Sequence, residues 1–320
     1  MADVVCLGIL VADVWGKPVN DWPERGRLSL VDEIGIGIGG CAANTGISLL
    51  KLGGDVAIMG KVGSDGFGDF VRETLGSFGA DTSRILRDPE VGTSATMIMV
   101  DDAGERTFIH YIGANARVKP EELDMDLIGG AKVFHFAGAL VMPGFDGEPA
   151  ASVFQAAKQA GVTTSLDTVW NDTVDWLGLM SPLFPHTDLF LPGLSEAQKI
   201  TGQDAPADVA AALLDMGIGT VALKMGEAGS YVRTQDEELT LPAFRVEAMD
   251  GTGAGDAYVA GFLRGTLEGW DLERTARFAS AVGALCVTAM GTTAGVRDFN
   301  GTLEFLAERD GAHWLDLRRD

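Results

Sequence analysis

The chain has 320 residues, is 46% hydrophobic and 22% charged, and carries a formal net charge of −22. A chain of this length and composition buries one large core. Its acidity makes nucleic acid and an anionic bilayer poor partners, and leaves a phosphate-bearing ligand to find positive potential locally, from backbone amides, a few Lys or Arg, or a metal. Cys6, Cys41 and Cys286 lie far apart with no CxxC or Cys/His spacing. That argues against a disulfide framework or a zinc site and fits a reducing cytoplasm. The start, MADVVCLGIL, has no cationic leader and reads as a buried strand, and no apolar run reaches the roughly 20 residues that cross a bilayer. A soluble, cytoplasmic protein is expected.

Val4 to Leu10 is a short apolar run that reads as a buried parallel strand. Leu28, Leu30, Ile34, Ile36 and Ile38 share one parity, which predicts a strand with one covered face. The period then turns helical at Ala43, Ile47 and Leu50 until Gly53 and Gly54 stop it. Asp55–Val62 reads as a strand and Phe70–Phe78 as a helix. Thr96–Val100 and Thr107–Ile112 flank Asp101–Glu105, a hairpin with turn residues at its tip. Strands over Val133–Phe136, Thr163–Leu166, Asp188–Leu191 and Thr220–Leu223 alternate with helices such as Ala150–Ala160 and Asp208–Met216. The last third is helical, over Gly255–Trp270, Leu272–Ala289 and Leu303–Arg309. The alternation predicts an α/β fold, one doubly wound and mostly parallel sheet covered on both faces. Residues near 15–39 and 93–112 form a small β appendage suited to covering an active site. The whole of 1–320 reads as one domain.

Met249 to Tyr258 carries the chemistry. Gly251, Gly253 and Gly255 strip side chains from a tight turn that opens a helix with Val259, Phe262, Leu263, Thr266 and Leu267 at helical spacing. Bare N–H groups and the helix N-terminus can then converge on one anion without any net positive side chain. Asp256 falls in the first helical turn. On spacing alone it is either a capping acid that stabilises the helix dipole or a catalytic base. A carboxylate beside an anion hole suits phosphoryl transfer, in which it takes the proton of an attacking hydroxyl. No Gly-Lys-Ser/Thr follows, so this is not a Walker A loop.

Gly253-Ala254-Gly255-Asp256 resembles the C-terminal signature of PfkB-family, ribokinase-like carbohydrate kinases, Asp-Thr-x-Gly-Ala-Gly-Asp. Gly39-Gly40-Cys41-Ala42-Ala43-Asn44, followed by Leu52-Gly53, resembles the family's N-terminal Gly-Gly…Asn signature. Gly63-Ser64-Asp65-Gly66-Phe67-Gly68 resembles its Gly-x-Asp-x-x-Gly step. The three lie in family order across nearly the full chain. Gly251 stands where the family has Thr, while Asp250 and Thr252 agree.

The resemblance implies Asp256 as the base, with Gly253, Ala254 and Gly255 as the anion hole. It implies substrate contacts from Asp13, Gly39, Gly40 and Asn44, with lid side chains Trp15, Ile36, Ile98, His110 and Tyr111 near the substrate. ATP is implied to lie along Lys224, Gly226 and Gly229, with Ser280 facing the adenine. Glu196 is implied to organise Mg2+ through water, although Gly193 replaces the family's Asn three residues before it. Asp250 and Thr252 are the positions that match a monovalent cation (K+) site, together with backbone carbonyls near Cys286, Ala289 and Gly291. The reaction implied is ATP-dependent phosphorylation of a primary hydroxyl on a small sugar. A nucleoside kinase of the adenosine-kinase-like type shares these motifs, and a non-catalytic binding module is a third class. Asp167-Thr168-Val169-Trp170-Asn171 departs from the Asp-x-Asn-x-Arg of fructokinases and ketodeoxygluconate kinases. The apolar face of Leu28–Ile38 would either cover the chain's own site or pair with a second lid, and a homodimer is the expectation.

Overall fold

The structure, a computed structural model, describes residues 2–319. β1 (Val4–Gly8) runs almost directly into β2 (Val11–Lys17), and β3 (Glu33–Gly39) returns into α1 (Cys41–Lys51). β4 (Val56–Gly63), α2 (Gly66–Ser77) and β5 (Ile85–Asp88) follow, then the hairpin of β6 (Ala95–Val100) and β7 (Arg106–Tyr111). Strands and helices next alternate through α3 (Met125–Gly130), β8 (Val133–Ala139), α4 (Glu148–Gln159), β9 (Thr163–Thr168), α5 (Trp176–Met180), β10 (Leu189–Phe190), α6 (Leu194–Thr201), α7 (Pro206–Asp215) and β11 (Thr220–Lys224). An antiparallel pair, β12 (Ser230–Arg233) and β13 (Glu238–Leu241), precedes α8 (Ala254–Leu267), α9 (Leu272–Cys286) and α10 (Phe299–Asp310). Among the described residues no helix is long and apolar enough to cross a membrane.

The large sheet has nine strands in the order β13-β12-β11-β10-β9-β8-β1-β4-β5. It is parallel except at β12, which pairs antiparallel with both β11 and β13. Alternate residues of β1 serve different cores: Val4 and Cys6 join the cluster that includes α8, α9 and α10, and Val5 and Leu7 the one that includes α4, α6 and α7. A strand covered on both faces must be apolar at both parities, as β1 is. β1 lies between β8 and β4, so the chain winds away from it in both directions. That makes its C-terminal end the topological switch point, where open α/β sheets leave a crevice.

The second sheet rises from that end, in the order β3-β2-β6-β7. It starts at Val11, four residues earlier than the 15–39 boundary expected. β3 is also shorter than the strand predicted over Leu28–Ile38, and Leu28 and Leu30 are exposed in an irregular segment. The ladder stops at the Lys17–Glu33 pair because Pro18 follows Lys17 and has no N–H to continue it. Register sorts the side chains of this sheet. Asp13, Thr96 and His110 are direct neighbours across the strands, and Trp15, Ile98 and Phe108 form the next row on the same face. Ile36, Val14, Met97 and Ile109 form a row on the opposite face, and Tyr111 lies on that side too. The hairpin β12–β13 is absent from the sequence reading, since two four-residue strands carry too little periodicity to detect. Helix ends differ by a few residues; α10 begins at Phe299 because the Asp298 side chain caps it, accepting from the Gly301 N–H.

Candidate active site

Three of the motif segments meet at the switch point. The glycine turn leads into α8, whose N-cap, Gly253, has a left-handed backbone with φ 81°. A Cβ there would lie 2.1 Å from the Thr292 carbonyl oxygen, so both the angle and the space demand glycine. A Cβ at Gly251 meets nothing, and the family's Thr would fit there. The Ala254 N–H makes a long 3.3 Å bond to the Gly251 carbonyl. The first-turn N–H groups of Gly255 and Asp256 have no acceptor within the helix, as at any helix start.

Asp256 faces α1. Asn44 Nδ2 donates to Asp256 Oδ2 at 2.8 Å, and the Thr45 hydroxyl donates to the Asp256 backbone carbonyl at 3.4 Å. Asn44 therefore holds the carboxylate while its own Oδ1 is buried with no partner. Burial pushes the Asp256 carboxyl up to about 6; the Asn44 bond pulls back, Asp167 adds to the rise, and Lys224 opposes it.

Lys224, expected along the nucleotide, lies at the end of β11. Its Nζ donates to Asp167 Oδ2 at 2.6 Å from β9, and a Cβ on Gly255 would lie 3.4 Å from it. Burial disfavours the ammonium, but Asp167 and Glu196 outweigh this and hold its pKa above the ordinary value. Glu196 Oε2 accepts from the Gly193 N–H at 2.8 Å and from the Thr168 hydroxyl at 3.0 Å. The bond from residue 193 is made by backbone, so glycine in place of Asn preserves it. Burial raises Glu196 to about 7, with Asp167 adding and Lys224 opposing. Asp167 and Thr168, read in the sequence only as part of the segment that departs from Asp-x-Asn-x-Arg, join this cluster through partners on other elements.

On the small sheet, a Cβ at Gly39 would lie 2.1 Å from Asp13 Oδ2, so the bare backbone of β3 leaves room for that carboxylate. Burial raises Asp13, while Thr96 and His110 pull it back; the Thr96 hydroxyl and His110 Nδ1 are 3.1 Å apart. Trp15, Ile98 and His110 share the face of Asp13. Ile36 and Tyr111, expected near the substrate, lie on the other face by the two-residue period of their strands. Gly40, the N-cap of α1, has φ 93°. Asp65 accepts from the Gly68 N–H and from the Thr93 N–H, both at 2.8 Å, and so ties the head of α2 to the leg of the hairpin.

In the loop after β11, Gly226 is open, whereas a Cβ at Gly229 would lie 2.0 Å from the Leu241 carbonyl oxygen. Gly229 is thus required by packing under β13. Ser280 Oγ on α9 is buried without a partner. Asp250 and Thr252 do meet, around Arg106 of β7. Arg106 Nη2 donates to Asp250 Oδ1 at 2.6 Å, and Nη1 donates to the Thr252 hydroxyl. Asp250 also accepts from the Thr252 and Gly291 N–H groups at 2.9 and 3.0 Å. Burial pushes this carboxyl up, but the bonds from Arg106, Gly291 and Thr252 win and hold it at about 2.

The sequence pattern of the pfkB family carbohydrate kinases matches residues 1–298. The chain belongs to the PfkB family of carbohydrate kinases. An uncharacterized sugar kinase of Archaeoglobus fulgidus is 30% identical over 255 residues, covering 78% of this chain and 98% of that protein. The 2-dehydro-3-deoxygluconokinase of Bacillus subtilis is 28% identical over 302 residues, 91% of this chain and 93% of that one. The structure of Arabidopsis thaliana ribokinase complexed with ribose and ATP superposes with a TM-score of 0.86 at 25% identity, covering 95% of this chain and 98% of that one. The PfkB, ribokinase-like reading of the sequence is thereby borne out, as are the kinase class and the α/β fold.

The raised pKa of Asp256 has a consequence for stability. A carboxyl at about 6 in the fold against 3.8 ordinarily favours folding when protonated, and that contribution is lost as pH rises through about 6. Asp256→Asn is therefore expected to raise the melting temperature at pH 8, with the gain shrinking as pH falls through 6 towards 4. Thermal unfolding across this range checks it; a gain independent of pH would contradict the burial argument.

Proposed function

We propose that the chain transfers the γ-phosphoryl group of ATP to a primary hydroxyl of a small sugar, with Asp256 as the base. The observation that carries this reading is the Asp256 carboxylate, held by Asn44 immediately after the bare turn that heads α8. With a pKa of about 6 it is mostly charged at neutral pH yet close enough to accept a proton in the transition state. The acceptor hydroxyl gives its proton to Asp256, its oxygen bonds to the γ-phosphorus, and the bond to the bridging oxygen breaks to release ADP. N–H groups of the Gly253–Gly255 turn and the Lys224 ammonium hold the charge of the group in flight.

The residues present suit the donor. Ser280 Oγ is a buried polar atom without a partner, the backbone at Gly226 is open, and Lys224 borders the turn. Mg2+ supplies charge neutralisation along the phosphates when bound, and Glu196 would hold it through water. A monovalent cation at Asp250 and Thr252 would compete with the Arg106 guanidinium for the same acceptors. For the acceptor, Asp13 on β2, the unpaired Asn44 Oδ1 and the backbone of Gly39 and Gly40 are the groups that would read sugar hydroxyls. The polar row Asp13–Thr96–His110 favours a free sugar over a nucleoside, whose base needs an apolar slot. The small sheet then acts as a lid that keeps water from the phosphates. Free thiols at Cys6, Cys41 and Cys286 suit the reducing cytoplasm.

The reading is tested by turnover of ATP against ribose, deoxyribose, fructose, 2-dehydro-3-deoxygluconate and adenosine. At least one free sugar should be phosphorylated, with kcat/KM rising through about pH 6 to a plateau, and Asp256→Asn should lower kcat at least about 100-fold. Near-normal turnover by that variant, or activity on adenosine alone, would overturn it.

We further propose that two copies pair through the outer face of the lid. Ile34, Ile36, Met97, Ile109 and Tyr111 stand exposed together there, at 74, 44, 58, 42 and 53%, an apolar patch of the kind that marks an interface. Sedimentation should find a dimer at micromolar concentration and a monomer for Met97→Glu. A monomeric wild-type chain would contradict the pairing.

A further inference from the structure

Most ion pairs at a protein surface contribute little. The pair between Arg106 and Asp250 differs in three respects. It joins segments 144 residues apart, the first residue of β7 beside the hairpin tip and the turn that heads α8. Its carboxylate is only 6% exposed. Its guanidinium serves two acceptors in one turn, Asp250 Oδ1 and the Thr252 hydroxyl, the forked recognition that an arginine fixes and a lysine does not. Asp250 in turn fastens two backbone strands, through the N–H of Thr252 and the N–H of Gly291 beyond α9. Gly253 then lies against the carbonyl of Thr292, one residue past Gly291. The lid, the turn and the segment after α9 are thus bound at one buried carboxylate.

We propose that Arg106 is a positioning residue for phosphoryl transfer: it reaches from the lid, fixes Asp250 and Thr252, and through them sets the backbone that receives the transferring group. Without Arg106 the Asp250 carboxylate is left buried with hydrogen bonds but no counter-charge, a costly arrangement that the turn relieves by opening towards water. The working shape of the anion hole then depends on the lid lying in place, which couples acceptor enclosure to phosphate binding. In this role Arg106 acts through Asp250 and Thr252.

This inference rests on the kinase reading above, and its test separates the two. Arg106→Gln, Arg106→Lys, Asp250→Asn and the double variant Arg106→Gln/Asp250→Asn are compared with the best sugar of the panel. Each Gln or Asn single variant should lower kcat about 10-fold or more with sugar KM changed much less; the double variant should be no worse than the poorer single, and Arg106→Lys should recover part of the loss. Amide hydrogen exchange of free Arg106→Gln should quicken across residues 251–255 while the rest of α8 keeps its protection, a readout independent of turnover. Wild-type kcat in Arg106→Gln, losses that multiply in the double variant, or unchanged exchange in 251–255 would each overturn the positioning role. That failure would leave Asp256→Asn inactive, whereas failure of the kinase reading would leave Asp256→Asn active.

Discussion

A kinase of net charge −22 has to receive an anion, and the turn from Asp250 to Asp256 is where we propose that this constraint is met. Backbone N–H groups carry partial positive charge that the acidic surface cannot titrate away, but they converge only if the chain bends more sharply than side chains permit. Gly253 supplies the bend, and the Thr292 carbonyl at its back leaves room for nothing larger. The same turn makes Asp256 the third residue of the helix, facing Asn44. In the proposed mechanism, shape, electrostatics and the base therefore come from one short segment.

Around it the few cations are spent with care. Lys224 is half-buried and paired with Asp167 beside Glu196, and Arg106 is half-buried and paired with Asp250. Each is locked by a carboxylate, which keeps its side chain in one place at the cost of its net charge. Arrangements of this kind give little stability, since desolvation offsets the attraction, but they fix position. The excess of buried carboxylates is felt in the raised pKa of Asp256 and of Glu196. At Asp256 burial is the larger cause, and the neighbouring Asp167 adds to it.

Much of this was legible in the residues. The strand–helix alternation, the turn and the Gly39–Asn44 segment reappear in the fold at nearly their expected bounds, because glycine clustering and hydrophobic period are local signals. What escaped was nonlocal. Arg106 carries no mark in the chain that ties it to Asp250, and Asp167 meets Lys224 only because β9, β10 and β11 lie side by side. The parity of Leu28–Ile38 is realised only over Ile34–Ile38, because Pro18, just past the partner strand, ends the ladder at Glu33. Ile36 and Tyr111 were grouped with His110 as lid side chains, and only cross-strand register assigns them to opposite faces. Gly229 is expected to leave room for a nucleotide, and packing against the Leu241 carbonyl gives a second, nonlocal reason for glycine there.

The central claim is that Asp256 and the turn before it act on the same phosphoryl group. It is met most directly by a crystal structure with the preferred sugar and a non-hydrolysable ATP analogue. The acceptor hydroxyl should lie within about 3 Å of an Asp256 carboxylate oxygen, with the terminal phosphate against the N–H groups that follow Gly253. A hydroxyl directed to another base, or a terminal phosphate away from the turn, would contradict it.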